Sequence, residues 1–160
     1  MRIVPAAFVA LGLVLASAGC KGGDAAATQG AQAGQVTVTI RTASAAHAFR
    51  VEVAKTAAEQ QRGLMYRTDI AKDGGMLFAP YPPEGGPPRE ASFWMENTPT
   101  SLDIVYIRAD GTIARIAENT VPFSRDPIPS GEPVAAVLEI LGGRAAELGI
   151  GEGDKVEWPR

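Results

Sequence analysis

The sequence predicts a mainly β domain with minor α, a compact β-barrel-like or sandwich fold of about eight short strands with one or two short helices. Three observations lead to this prediction. Apolar and polar residues alternate with a period of two over several short stretches, as in half-buried strands. The chain contains 18 Gly and 12 Pro, and these turn-forming residues separate the stretches. Only two short segments show a helical pattern.

The first predicted elements are two strands and a helix. Val36–Ile40 and His47–Val53 each alternate apolar and polar residues, which is typical of strands with one buried face. Thr56 is followed three residues later by Glu59, and this spacing is that of a capping box. We therefore expect a short helix that begins there and ends near Leu64.

The rest of the chain is predicted to consist of short strands and loops. Pro80–Glu90 holds five prolines and two glycines, and Pro122–Pro133 is a second Pro-rich stretch, so both are predicted to be surface loops outside any sheet ladder. Asp110 and Gly111 predict a tight hairpin, and Arg144–Leu148 predicts one or two helical turns. The remaining predicted strands are Met76–Phe78, Ala91–Glu96, Leu102–Arg108, Thr112–Ile116, Val134–Leu141 and Lys155–Trp158.

Residues 1–20 have the features of a bacterial lipoprotein signal peptide. The apolar stretch Ile3–Ala16 has the length of a signal-peptide core and is too short to span a membrane. The small residues before Cys20 resemble a lipobox, which makes Cys20 the predicted site of lipid attachment. Ser17 stands where Leu is favoured, so a plain secretory signal cut near Ala18 is the alternative.

A tether is predicted between this signal and the domain. Residues 21–34 contain no large apolar side chain, and such a segment cannot bury enough surface to fold. One β-rich domain is expected over residues 35–160. The predicted location is the cell envelope, lipid-anchored through Cys20 and facing the periplasm. Lys21 is not the Asp that commonly retains lipoproteins at the inner membrane, which slightly favours the outer membrane.

The composition of residues 35–160 excludes several classes of protein. They contain 13 Lys and Arg against 17 Asp and Glu, a formal net charge of −4. A dedicated nucleic-acid binder usually carries a basic stripe, so no nucleic-acid partner is expected. Cys20 is the only cysteine. The domain therefore has no disulfide and depends on an apolar core for its stability.

No standard catalytic signature is present. The sequence has no P-loop, dinucleotide fingerprint, paired-cysteine zinc site or nucleophile elbow, each of which would carry a recognisable spacing. His47 is the only histidine, and it is expected to be a surface residue at the start of a strand. A single histidine, with no cysteine in the folded part, leaves little material for a His-based triad or a cysteine nucleophile. These observations favour a non-catalytic protein without a metal or other cofactor.

Two carboxylates lie inside apolar stretches. Asp103 lies within Leu102–Ile107, and Glu139 lies within Ala136–Leu141. A carboxylate in such a position needs hydrogen bonds or a cation, because unpaired burial is costly. Arg62, where the first helix ends, is the candidate cation.

These groups are open to two interpretations. They could form a buried Arg–carboxylate network that pins the strands, or they could converge on a pocket that recognises a polar ligand. In the second case Asn97 and Thr98 would add hydrogen-bond donors and Trp94 an apolar wall. The predicted ligand-binding residues are Arg62, Trp94, Asn97, Thr98, Asp103 and Glu139.

Five sequence blocks follow one another in a defined order along the chain: Arg62–Met65, Gly75–Phe78, Phe93–Thr98, Leu102–Tyr106 and Val137–Ile140. In this order they resemble a known family, the bacterial and archaeal domain of unknown function number 192. The resemblance covers about Val36 to Trp158 and implies a small, mostly β, barrel-like domain that is often exported, with no established activity. The chain departs from the family pattern by having Thr100 and Ser101 where Ile-Pro usually precedes the Leu-Asp pair.

The leading functional hypothesis is a membrane-tethered, non-catalytic domain that binds a small polar ligand or an envelope component. One alternative is a hydrolase that uses Asp103 and Glu139 as a carboxylate pair. Another is Cu(I) handling by the thioethers of Met65, Met76 and Met95, since soft ligands suit Cu(I). The last is a structural or interaction module whose contact surface is the Pro-rich loops.

Overall fold

Nine strands and two short helices follow one another along residues 34–159, the part of the chain that the computed structural model describes. This confirms the mainly β, barrel-like class. Among these residues no helix combines the length and the apolar character needed to cross a membrane. The elements are β1 (Gln35–Arg41), β2 (Ala46–Ala54), α1 (Ala57–Arg62), β3 (Gly75–Phe78), β4 (Arg89–Phe93), β5 (Leu102–Ile107), β6 (Ile113–Ala117), β7 (Ile128–Val134), β8 (Ala136–Leu141), α2 (Arg144–Leu148) and β9 (Lys155–Glu157).

Seven of the strands form one sheet that nearly closes into a barrel. Their order is β6-β5-β8-β3-β2-β1-β9, and only β2 and β3 pair in parallel. At the open seam, β9 approaches the hairpin between β5 and β6. Thr112 forms an isolated bridge with Lys155, and the Val156 N–H donates to the Gly111 carbonyl at 2.8 Å. These bonds satisfy part of what would otherwise be two exposed sheet edges.

The sheet buries apolar side chains on both of its faces. The inner face forms the barrel core, which includes Phe49, Leu77 and Leu138. The outer face carries a second core, which includes Phe78 and Ile104 and lies under α1, β4 and β7. Strands β5 and β8 contribute to both cores, which explains why their sequences are almost continuously apolar.

The remaining two strands, β4 and β7, pair antiparallel in a separate small sheet. The loop prediction for Pro122–Pro133 is therefore wrong from Ile128 onward. Pro129 and Pro133 are tolerated because a two-stranded sheet consists only of edge strands, where a missing N–H need not break a ladder. The predicted strand Val134–Leu141 is likewise two strands, because the chain passes from β7 to β8 at position 135.

Candidate functional site

A cavity of about 240 Å³ lies over the outer face of the sheet, against the second core. Its walls come from α1 and the turn that follows, from the strands β3, β4 and β8, and from the segments just after β3 and β4. The lining residues with polar or aromatic groups include Gln60, Arg62, Tyr81, Phe93, Trp94, Thr98 and Glu139.

Helix α1 brings its last turn to this cavity. The predicted capping box is present: Thr56 Oγ1 accepts the Glu59 N–H at 3.3 Å, and Glu59 Oε2 accepts the Thr56 N–H at 2.9 Å. The backbone N–H groups of Thr56 and Lys55, which both donate to Glu59 Oε2, lower the pKa of the Glu59 carboxyl. The helix ends at Gly63, whose φ of 47° allows the chain to turn close to the Phe78 ring.

Glu139 is the buried ionisable group of the cavity. It lies on β8 opposite Met76 of β3 and Ile104 of β5, and only 5% of its surface is exposed. Its Oε2 atom has no hydrogen-bond partner among residues 34–159. Burial without a compensating charge raises the pKa of Glu139 to about 8, so the carboxyl is mostly protonated at neutral pH.

Gln60, which also lines the cavity, carries a second buried acceptor. The Gln60 amide is oriented by two hydrogen bonds, because its Nε2 atom donates to the carbonyls of Ala54 at 3.0 Å and Pro80 at 2.8 Å. This leaves Gln60 Oε1 buried without a partner within the described chain. Since buried polar groups normally find partners, two such acceptors among the lining residues make this cavity the candidate site.

Aromatic rings form the apolar walls. The Phe93 ring packs edge-on against Phe78, with centroids 5.0 Å apart, and lies 6.1 Å from the rings of Tyr81 and Tyr106. Such T-shaped contacts stabilise a defined arrangement of rings. Trp94 follows Phe93 and is 49% exposed, so one wall of the cavity reaches the solvent.

Arg62 and Thr98 add polar groups to the cavity lining. Arg62 is exposed and makes no salt bridge with any residue between 34 and 159. Thr98 is 5% exposed and its hydroxyl donates to the Glu96 carbonyl at 3.1 Å. The guanidinium is therefore free to attract an acceptor-rich group of a ligand.

Two of the predicted ligand-binding residues are not part of the lining. Asn97 has a φ of 54°, and its carbonyl accepts the Tyr66 N–H at 2.8 Å. Asp103 is fully buried on β5, and its carboxylate accepts three backbone N–H groups. These come from Asn119 at 2.8 Å, Gly143 at 2.9 Å and Ala145 at 2.8 Å. Asp103 thus joins distant segments, and no cation among residues 34–159 takes part in its hydrogen bonding.

The strand register separates the two carboxylates that the hydrolase hypothesis requires. Asp103 lies opposite Ile140, whereas Glu139 lies opposite Ile104. Residues opposite each other share a face, and neighbours along a strand point to opposite faces. The side chains of Asp103 and Glu139 therefore lie on different faces of the sheet and cannot act on one bond.

The methionines proposed for Cu(I) have different surroundings. Met65 lines the cavity, while Met95 is fully buried and its sulfur accepts the Thr120 hydroxyl at 3.1 Å. Met76 is a buried residue of β3. Residues 34–159 contain no group of three or more His, Cys, Asp or Glu arranged to hold a metal ion. Cys20 lies outside the described residues.

Sequence reasoning did not select several lining residues. Gln60 is one residue of a polar helix, and nothing in its spacing indicates that its amide turns inward. Tyr81 and Phe93 come from the first Pro-rich segment and from β4. Their common location depends on how β4 and β7 fold over the sheet, which no local pattern reveals.

Comparisons with known proteins agree with the fold. The model of family DUF192, described as uncharacterized ACR, matches residues 38–158, and no curated protein matches the chain. A crystal structure of a protein of unknown function from Novosphingobium aromaticivorans is 48% identical with a TM-score of 0.73, over 78% of this chain and 85% of that one. A Sinorhizobium meliloti structure, provisionally described as a transcription regulator, is 42% identical with a TM-score of 0.72, over 78% and 93%.

Proposed function

Because this chain belongs to the uncharacterized DUF192 family, we propose from its own residues that it is a non-catalytic domain that binds a small polar molecule. The proposed site is the cavity at Glu139. The second part of the proposal is that lipid on Cys20 holds the protein at a membrane. We do not propose the transcription-regulator role described for the Sinorhizobium protein. Residues 35–160 of this chain have a formal net charge of −4, whereas DNA binding favours basic surfaces.

The observation that carries the proposal is the pair of unpartnered buried acceptors, Glu139 Oε2 and Gln60 Oε1. A ligand with N–H or O–H groups would satisfy both. Since the pKa of Glu139 is raised to about 8, the carboxyl can at neutral pH both donate and accept a hydrogen bond. A neutral amide group has the complementary donor and acceptor, so we propose an amide-bearing ligand.

The size and lining of the cavity further restrict the class of ligand that it can bind. A volume of about 240 Å³ is below the range of about 300–1,000 Å³ that is usual for drug-sized ligands, so the ligand is small. Phe93 and Trp94 offer ring faces and edges to a flat body. Arg62, which also lines the cavity, favours an acceptor-rich group on the ligand.

The test uses tryptophan fluorescence, because Trp94 lines this cavity and the chain has only one other tryptophan. The full chain with Trp158→Phe is titrated with benzamide, benzylamine and benzoate. Benzamide is expected to give a saturable change that Glu139→Gln retains and Glu139→Leu abolishes. Arg125→Ala, which removes an exposed arginine paired with Glu96, is the control and should not alter the titration.

Two results would contradict the proposal. One is the absence of a saturable response to all three probes in a protein that is folded by circular dichroism. The other is equal affinity of the parent protein and Glu139→Leu for benzamide. A response to benzylamine alone, strongest above pH 8, would overturn the amide class and identify an ammonium ligand paired with ionised Glu139.

A further inference from the structure

A second and larger cavity, of about 610 Å³, lies at one end of the barrel. The residues around it come from the start of β1, the end of β2, the end of β5, the start of β8 and the segment after β9. The pairs β5/β8, β8/β3, β2/β1 and β1/β9 are antiparallel and the pair β3/β2 is parallel, so all of these positions fall at the same end of the sheet. The cavity is therefore a mouth of the barrel, a common place for a ligand site.

The lining of this mouth is mainly apolar. Val36, Leu77 and Trp158 belong to the barrel core or pack against it, and Pro80 and Pro88 bring the first Pro-rich segment over the opening. Burial of apolar surface stabilises a bound chain by about 25 cal/mol per Å². The volume falls within the range of about 300–1,000 Å³ that is typical of small-molecule sites.

Two cations accompany this apolar lining, Lys55 and Arg108. The Arg108 guanidinium is already engaged by Glu132, by the Thr112 hydroxyl and by the Ile113 carbonyl. Lys55 is exposed and forms no salt bridge with any residue between 34 and 159. The nearby Glu59 carboxylate is occupied by the backbone N–H groups of the capping box. The ammonium group of Lys55 is therefore available to an anion.

We propose that the barrel mouth binds a long-chain carboxylate, with the acyl chain in the cavity and the carboxylate at Lys55. An apolar cavity with a single available cation fits an amphiphile that has one anionic end. A peptide or a sugar would bring polar groups into this lining, where they would lose their hydration without gaining partners. This site is distinct from the proposed amide site, since its lining contains neither Glu139 nor Gln60 and shares only Tyr81 with the first cavity.

Palmitate is the probe, and Trp158 is the reporter because it lines this cavity and not the first. The full chain carries Cys20→Ser, so that no attached lipid competes, and Trp94→Phe, so that only Trp158 emits. Palmitate is added below its micelle concentration. We expect a saturable change in Trp158 emission with one palmitate per chain.

Three variants test the assignment of the site. Lys55→Gln should weaken palmitate about two- to fivefold, the effect of losing one exposed ion pair. Lys72→Gln removes a lysine that pairs with Glu147, and it should leave the affinity unchanged. Ala109→Phe places a ring at an exposed position of the lining and should abolish binding.

The proposal is overturned if palmitate gives no saturable response, or if folded Ala109→Phe binds it as well as the parent does. Equal weakening by Lys55→Gln and Lys72→Gln would overturn the assignment of the carboxylate to Lys55. A protein that keeps only Trp94 distinguishes this site from the amide site. It should respond to benzamide and not to palmitate, so either proposal can fail without the other.

Discussion

Asp103 and Glu139 lie in similar apolar sequences but are buried in different ways. Asp103 accepts three backbone N–H groups from segments far along the chain, whereas Glu139 has an oxygen without a partner within residues 34–159. Sequence reasoning identified both as carboxylates that need partners. It named Arg62 as the candidate cation, whereas the partners of Asp103 are backbone N–H groups whose positions depend on the segments after β6 and β8.

Replacing Glu139 by Gln should remove a pH dependence of stability. The pKa of Glu139 rises from 4.5 to about 8 on folding, so the folded state holds the proton more tightly than the unfolded state does. Its stabilising contribution is complete below pH 4.5 and falls by up to about 1.4 kcal/mol per pH unit until the pH passes 8. Urea denaturation between pH 5 and pH 9 measures this fall.

In Glu139→Gln the free energy of unfolding should vary less with pH over that range. Glu118→Gln is the matched control, since Glu118 is an exposed glutamate near the same sheet, and it should behave as the parent protein. The prediction is wrong if Glu139→Gln and the parent protein lose stability in parallel as the pH rises.

Replacing Asp103 should destabilise the fold even when the new side chain has the same shape. In Asp103→Asn one carboxylate oxygen becomes an NH₂ group, which cannot accept the N–H of Ala145 or those of Asn119 and Gly143. Leaving buried N–H groups unpaired costs about 1–3 kcal/mol each, so we expect a loss of about 2–4 kcal/mol in the free energy of unfolding. Denaturant titration at pH 7 measures the loss.

Asp126→Asn is the control for this change, because Asp126 is exposed and, within residues 34–159, forms side-chain and backbone hydrogen bonds only with Ser124. It should lie within about 0.5 kcal/mol of the parent protein. An Asp103→Asn protein as stable as Asp126→Asn would show that the three backbone hydrogen bonds do not hold the loops together.

Elements that follow a simple alternation were predictable from the sequence, and β7 was not. The strands β1 and β2 each present alternate residues to the barrel core, so the period of two is visible in the sequence. In β7, Pro129 and Pro133 lie opposite Ser92 and Glu90 of β4, in a two-stranded sheet whose strands are both edge strands. Proline normally indicates the absence of a strand, and only the pairing with β4 overrides that signal.

The pairing of β3 with β8 depends on a glycine. Gly75 has a φ of 151°, and a Cβ atom there would lie 2.0 Å from the Glu139 carbonyl oxygen. Because that oxygen belongs to the backbone of a central strand, Gly75→Ala must separate β3 from β8 beneath the cavity. We expect a loss of several kcal/mol or failure to fold, measured by thermal denaturation.

Gly85→Ala separates this crowding from the effect of backbone conformation. Gly85 also has a positive φ, 77°, but a Cβ atom there would meet nothing within 4 Å. Its expected cost is about 1–2 kcal/mol, which reflects the strain of a left-handed residue. Equal destabilisation by the two substitutions would show that glycine is needed at position 75 for its positive-φ backbone conformation and not for the close approach of β8.

At the scale of the molecule, a sheet with a core on each face offers two kinds of site. The outer core leaves a small cavity with buried polar groups, and the end of the barrel core leaves a larger apolar one. The mainly β class was predictable from the sequence, because the frequency of turn-forming residues and the alternation of apolar and polar residues both indicate it. The cavities were not, because each is formed by segments that are distant in the chain and meet only after the sheet has curved.

The proposed lipid anchor and the folded domain should act independently. The anchor is proposed at Cys20, whereas the residues that line the proposed amide site lie between Gln60 and Glu139. Cys20→Ser should therefore move the protein from the membrane to the soluble fraction of an envelope extract, because acyl chains contribute about 0.8 kcal/mol per buried CH₂ to membrane binding. Its affinity for benzamide, read from Trp94, should equal that of the lipidated protein. Retention of Cys20→Ser in the membrane after a high-salt wash would show that something other than lipid at Cys20 is the anchor.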